Sequence, residues 1–169
     1  MTSEKHSKQL TMAENVDKSN RRTIVIAMDG SKEADNALDF YMKNIRQDRD
    51  DVILMHCVNH RAHYTMGSVW MPLNPQDIAK AIIEDNNKAS EICKRLRELL
   101  EMYKDGGRVS VMKLEGGDPG ETILKKAEEC EASVIIVGSR GLGTIRRTIL
   151  GSVSDYILHH AHVPVFICR

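Results

Sequence analysis

The run Ala132-Ser133-Val134-Ile135-Ile136-Val137-Gly138-Ser139-Arg140-Gly141 changes character at a single residue. Up to Val137 it is apolar and β-branched, which reads as a strand buried on both faces in a parallel sheet rather than as a helix. From Gly138 onward two glycines let the backbone turn sharply and let a ligand approach main-chain N–H groups. After nine intervening residues, Gly151-Ser152 opens another helical segment. Its first N–H groups lack helical partners, and its dipole favours an anion. A glycine turn and a helix N-terminus bracketing one loop predict a phosphate cradle.

Outward from this segment, strand and helix patterns alternate. Residues 22–28 predict a first strand, ended by Asp29-Gly30-Ser31. Ser31 is the expected N-cap of a helix over about 32–45, with Ala34, Ala37, Leu38 and Tyr41 on one face. Residues 52–58 predict a second strand, and a long connection over 59–76 carries the only tryptophan, Trp70. A connection of that length suits a binding or lid segment better than a plain link. An amphipathic helix is expected over about 77–104, stopped by Gly106-Gly107. A third strand over 108–114 precedes Gly116-Gly117-Asp118-Pro119, where Asp118 can cap a helix ending near Cys130. A short helix from Gly151 to His160 and a last strand over 163–168 finish the pattern. The fold class is therefore α/β, a doubly wound, mainly parallel sheet with helices on both faces.

Composition narrows the function. The chain has 169 residues, 41% of them hydrophobic, enough for one continuous core. Residues 1–20 are polar and aperiodic and read as a disordered N-terminal tail, leaving 21–169 as one domain. Twenty-four basic residues balance twenty-four acidic ones, which argues against a nucleic-acid partner. No apolar run reaches membrane-spanning length, and no signal-peptide core is evident, so a cytoplasmic location is expected. The four cysteines are widely spaced and read as reduced thiols.

Several side chains stand where chemistry is expected. Asp29, at a strand end, can accept from a ribose hydroxyl or an adenine amine, or else close an Asx turn. Ser152 and Ser154 begin the last helix, where hydroxyls contact phosphate or cap. Arg140, Arg146 and Arg147 can neutralise phosphate charge. His56, His60 and His63, or His159, His160 and His162, invite a metal reading, but the i,i+4 pair of the first set spans a strand end and a loop, and the second set straddles a helix end. No P-loop motif is present, and Gly141-Leu142-Gly143-Thr144-Ile145-Arg146 breaks the dinucleotide fingerprint at its third glycine. No residue placed to activate an attacking water or to bind a dedicated metal is evident, so little or no catalysis is expected. A slow ATP hydrolase or phosphotransferase, with Asp29 as base, and a nucleotide-independent adaptor are the alternatives.

The pattern G-x-x-G-x9-G-[ST], with Ile24-Val25-Ile26-Ala27-Met28-Asp29, Val52-Ile53-Leu54-Met55-His56-Cys57-Val58 and Val163-Pro164-Val165-Phe166-Ile167, resembles the universal stress protein family. The resemblance spans roughly residues 22–169. It implies a Rossmann-like five-stranded sheet of order 3-2-1-4-5 and an ATP site, with ADP or AMP as alternative ligands and Mg2+ or Mn2+ carried by the phosphates. It also implies a pocket built from Ala27, Met28, Asp29, Cys57, Val137, Gly138, Arg140, Gly141, Gly151, Ser152, Val153 and Ser154. Backbone around Ala27 and Cys57 would line the base. A homodimer through residues 163–168 is expected as well, because the last strand has no following element to cover its edge.

Overall fold

Five strands and four helices alternate through residues 21–59, 74–103, 108–140 and 150–169, which the computed structural model describes. The strands β1 (Arg22–Ala27), β2 (Asp50–Asn59), β3 (Arg108–Gly116), β4 (Val134–Gly138) and β5 (Val165–Cys168) form one sheet of order β3-β2-β1-β4-β5. Every neighbouring pair is parallel. Strand order reverses between β1 and β4, so the connections leaving their carboxyl ends run to opposite faces of the sheet and leave a crevice between them.

Alternation along the strands sends side chains to two cores. Ile24, Ile26, Val52, Leu54 and Ile136 meet α1 (Lys32–Asn44) and α2 (Pro75–Glu101) on one face. Val25, Ala27, Met55, Ile135 and Val137 meet α3 (Pro119–Glu129) and α4 (Ser152–His160) on the other. The long helix α2 buries only Ala89, Cys93, Leu96 and Leu100. At about 25 cal/mol per Å2 of apolar area, these two sandwiches are the main stabilising term.

Element ends differ from expectation where polar residues hide their roles. The second strand begins at Asp50 rather than 52, in register with Arg22. Arg22 donates to it from Nε (2.8 Å) and Nη2 (2.7 Å), Tyr41 from its hydroxyl (2.6 Å) and Gln47 from its N–H (2.9 Å). A fully buried carboxylate with four donors can occupy a strand position that a lone charge could not. Helix α2 begins at Pro75 behind the N-cap Asn74, two residues before the expected start, because proline needs no donor at a first helical position. Strand β5 begins at Val165, after Pro164, whose carbonyl still accepts from the Ile135 N–H at 3.0 Å. The tail (1–20), the connection with Trp70 and the Gly106-Gly107 stop lie outside the described residues.

Candidate functional site

Ser31 and Asp118 cap α1 and α3 as expected: Ser31 Oγ accepts from Ala34 N at 3.2 Å, and Asp118 Oδ1 from Gly120 N at 2.9 Å and Glu121 N at 3.2 Å. With Asn74, three helices thus begin on a side-chain cap. Helix α4 does not. Its N-cap is Gly151, with no side-chain cap bond. Its first N–H groups and the positive end of its dipole therefore stand ready for an external acceptor.

Short bonds hold that N-terminus against the end of β4. Gly151 N donates to Ser139 O at 2.9 Å, and Ser139 N donates to Cys168 O at 2.6 Å. Ser154, 2% exposed, shares its one hydroxyl proton between Gly151 O (2.9 Å) and Ser139 O (3.3 Å). It is thus occupied in closing the β4–α4 junction, whereas Ser152 is exposed. Gly138 lies under α1: a Cβ there would stand 2.9 Å from Glu33 C and 3.0 Å from Ala34 N. That close approach is what calls for a glycine here, since its φ is not in the left-handed region.

Across the crevice, β1 ends at Ala27 and the chain turns through Met28, Asp29 and Gly30, the last at φ +87°. Asp29 Oδ1 accepts from Ser31 N at 2.9 Å. The Asx turn is therefore present, and it uses one carboxylate oxygen. Oδ2 has no partner among the described residues, so turn and ligand roles are compatible. Cys57, near the end of β2, is half-buried; burial pushes its thiol up, Asp118 adds to that, and Thr122 opposes it with a hydrogen bond. A thiol held protonated supplies a neutral, mostly apolar wall. Val137 lies in the buried run of β4, which continues through Gly138 and Ser139, and Arg140 beyond it is partly buried.

The predicted residues Ala27, Met28, Asp29, Cys57, Val137, Gly138, Arg140, Gly151, Ser152, Val153 and Ser154 thus come from strand ends and one helix start on the carboxyl side of the sheet. Gly141, Arg146, Arg147, His60 and His63 lie outside the described residues. His159 and His160 donate from Nδ1 to the carbonyls of Asp155 and Tyr156, each at 2.8 Å. Among the described residues no group of three His, Cys, Asp or Glu side chains could hold a metal ion. No described helix is long and apolar enough to cross a membrane.

One residue beside the site was read from sequence only as a possible metal ligand, not as a neighbour of the β1 turn. His56 is 7% exposed, and its Nδ1 lies 2.7 Å from Met28 O, at the very turn where β1 meets the crevice. The signal was a histidine inside the apolar run of β2, which burial makes costly unless it is bonded.

Comparison with known proteins agrees with this architecture. The chain is 30% identical over 169 residues to the universal stress protein PHOS32 of Arabidopsis thaliana, an alignment covering 88% of this chain and 65% of that relative. The hypothetical protein MJ0577, solved as a test case of structural genomics, superposes with a TM-score of 0.70 at 23% identity, over 87% of this chain and 94% of that one. Two further neighbours were solved with nucleotides. The Arabidopsis thaliana protein At3g01520 has AMP bound (TM-score 0.57, 18% identity, 87% of this chain and 90% of that one). A universal stress protein is in complex with cAMP (TM-score 0.59, 19% identity, 88% of this chain and 97% of that one). At those identities the likeness carries the fold. The model of the universal stress protein family matches residues 20–169, and this chain belongs to that family.

Proposed function

We propose that this chain binds an adenine nucleotide, ATP with Mg2+ or Mn2+ on its phosphates, and acts as a nucleotide-dependent module with little or no catalysis. The observation that carries the reading is the uncapped N-terminus of α4, held against the end of β4 and facing the crevice where strand order reverses. Three capped helices beside one uncapped helix at the switch point fit a phosphate acceptor. The AMP and cAMP complexes of two structural neighbours support adenine as the base. Asp29 Oδ2 would meet the ribose; Ala27, Met28 and Cys57 would line the base; Val137, Gly138, Arg140, Gly141, Gly151, Ser152 and Val153 would surround the phosphates, with Ser154 holding the junction beneath them.

The same reading includes a homodimer through β5. Among the described residues the outer edge of β5 has no strand partner. Phe166 on β5 is 44% exposed, and Phe40 of α1 is 48% exposed. Phe40 lies on the flank of α1 away from the Asp35–Arg95 contact with α2 and toward β5. An exposed phenylalanine on the open strand and another on the helix packed beside it invite pairing with a second copy.

Thermal denaturation with AMP, cAMP or ATP, with and without magnesium, tests the ligand. A nucleotide at 100 times its Kd adds about 2.7 kcal/mol to stability, a shift of several degrees. No shift with any of the three at millimolar concentration refutes the reading. Steady-state phosphate release at several turnovers per minute would instead identify a hydrolase.

A further inference from the structure

A regular parallel ladder has a rule that the chain breaks one residue past the end of β1. Met28 N donates to Met55 O at 2.8 Å, continuing the register Ala27↔Met55 by one step. The next bond of such a ladder runs from Cys57 N to Met28 O. Here Met28 O receives the His56 imidazole at 2.7 Å instead. A carbonyl can only accept, so Nδ1 of His56 carries the proton in this bond. His56 shares its strand face with Val52 and Leu54, the side covered by α1 and α2.

Two consequences follow from the geometry of a trans peptide. The C=O of Met28 and the N–H of Asp29 belong to one planar unit and point in opposite directions. With the carbonyl drawn to His56, the Asp29 N–H is turned from it, toward the side of the sheet that carries α4. Among the described residues this N–H has no partner. The Cys57 N–H faces the β1 side beyond its last paired residue, and it too lacks a partner among the described residues. A buried, 2.7 Å side-chain bond is thus what separates two main-chain donors from the ladder at the mouth of the crevice.

We propose that His56 is a positioning residue for the ligand site: by holding the Met28 carbonyl, it presents the Asp29 and Cys57 N–H groups to an acceptor-bearing ligand. The proposal rests on the nucleotide reading for the ligand's identity, here a heteroaromatic base or ribose with acceptor atoms, while its geometric content concerns the Met28–Asp29 peptide alone. The bond also explains a buried histidine within an apolar strand: it keeps one peptide plane from rotating into the ladder, where both donors would be consumed.

The experiment compares His56→Asn with His56→Leu in the full chain. Asparagine places an amide donor on Cγ, where Nδ1 stood; leucine fills similar volume with no donor. AMP titration calorimetry should show binding about 10-fold or more weaker in His56→Leu, the cost of one preorganised bond, and within about 3-fold of wild type in His56→Asn. A purely structural histidine would lower the melting temperature of the variants without that split in affinity. Equal affinity in wild type and His56→Leu, or equal weakness in both variants at matched stability, overturns the proposal. Amide relaxation of Asp29 without ligand tests the same peptide independently of binding. Its order should fall in His56→Leu and recover in His56→Asn; unchanged order in His56→Leu overturns the proposal. If wild type binds neither AMP, cAMP nor ATP, the nucleotide reading fails, and the relaxation result alone decides whether His56 positions this peptide.

Discussion

Substituting Gly138 by alanine separates the two reasons for a glycine at the end of β4. The added Cβ would sit 2.9 Å from Glu33 C, 3.0 Å from Ala34 N and 3.1 Å from Glu33 Cβ. Two of these atoms are backbone in the first turn of α1, and that turn is pinned by the Ser31 cap. No side-chain rotation relieves the contact. Ordinary separation begins at 3.4 Å against the 2.9 Å here, so restoring it moves α1 or β4 by about 0.5 Å. Displacing packed backbone by that amount costs about 1–3 kcal/mol. With a urea slope of about 1–3 kcal/mol/M, the midpoint should fall by roughly 1 M at unchanged slope. Urea unfolding followed by far-ultraviolet circular dichroism reads this directly. A loss under about 0.5 kcal/mol would refute the packing argument and leave ligand access as the sole reason for the glycine.

Asp50→Asn should destabilise by about 3 kcal/mol, tempered by the 37% exposure of the Arg22 side chain, because it removes the counter-charge of a buried network. Burial acts to raise the Asp50 carboxyl, but bonds from Arg22, Tyr41 and the Gln47 N–H outweigh it and hold it below the usual range. Its contribution is therefore full above the unfolded value of about 4 and lost as pH falls through the lower folded value. The gap between wild type and variant, measured by urea unfolding, should be constant from neutral pH down to about 5 and should shrink below about 4. Ser154→Ala should lower stability by about 1 kcal/mol with nucleotide affinity nearly unchanged, since its hydroxyl bonds protein carbonyls. Ser152→Ala should do the reverse in the same melting and calorimetry assays. Phe166→Glu should convert a dimer to a monomer in light scattering at tens of micromolar, and a wild type that is already monomeric at that concentration refutes pairing through β5.

Local composition decided most of what is periodic in this protein. The β-branched runs 24–27, 52–55 and 134–137 could only be buried strands, and glycine, serine and aspartate at their carboxyl ends could only be turns and caps, because those preferences act within a few residues. The α/β class and the side of the sheet that holds the candidate site follow from that alternation. Strand order did not follow from periodicity; the family resemblance implied it, and the ladder of β1 between β2 and β4 establishes it. Tertiary structure alone decided the roles of polar groups whose partners lie outside their own turn. Asp50 reads as a loop residue until four donors from β1, α1 and the preceding turn surround it. Ser154 and Ser152 look alike in sequence, yet one faces two carbonyls and the other faces solvent. His56 and Met28 are twenty-eight residues apart and meet only because β1 and β2 pair. A hydrogen bond is set by positions in space, and the sheet brings together groups whose separation along the chain carries no trace of their contact.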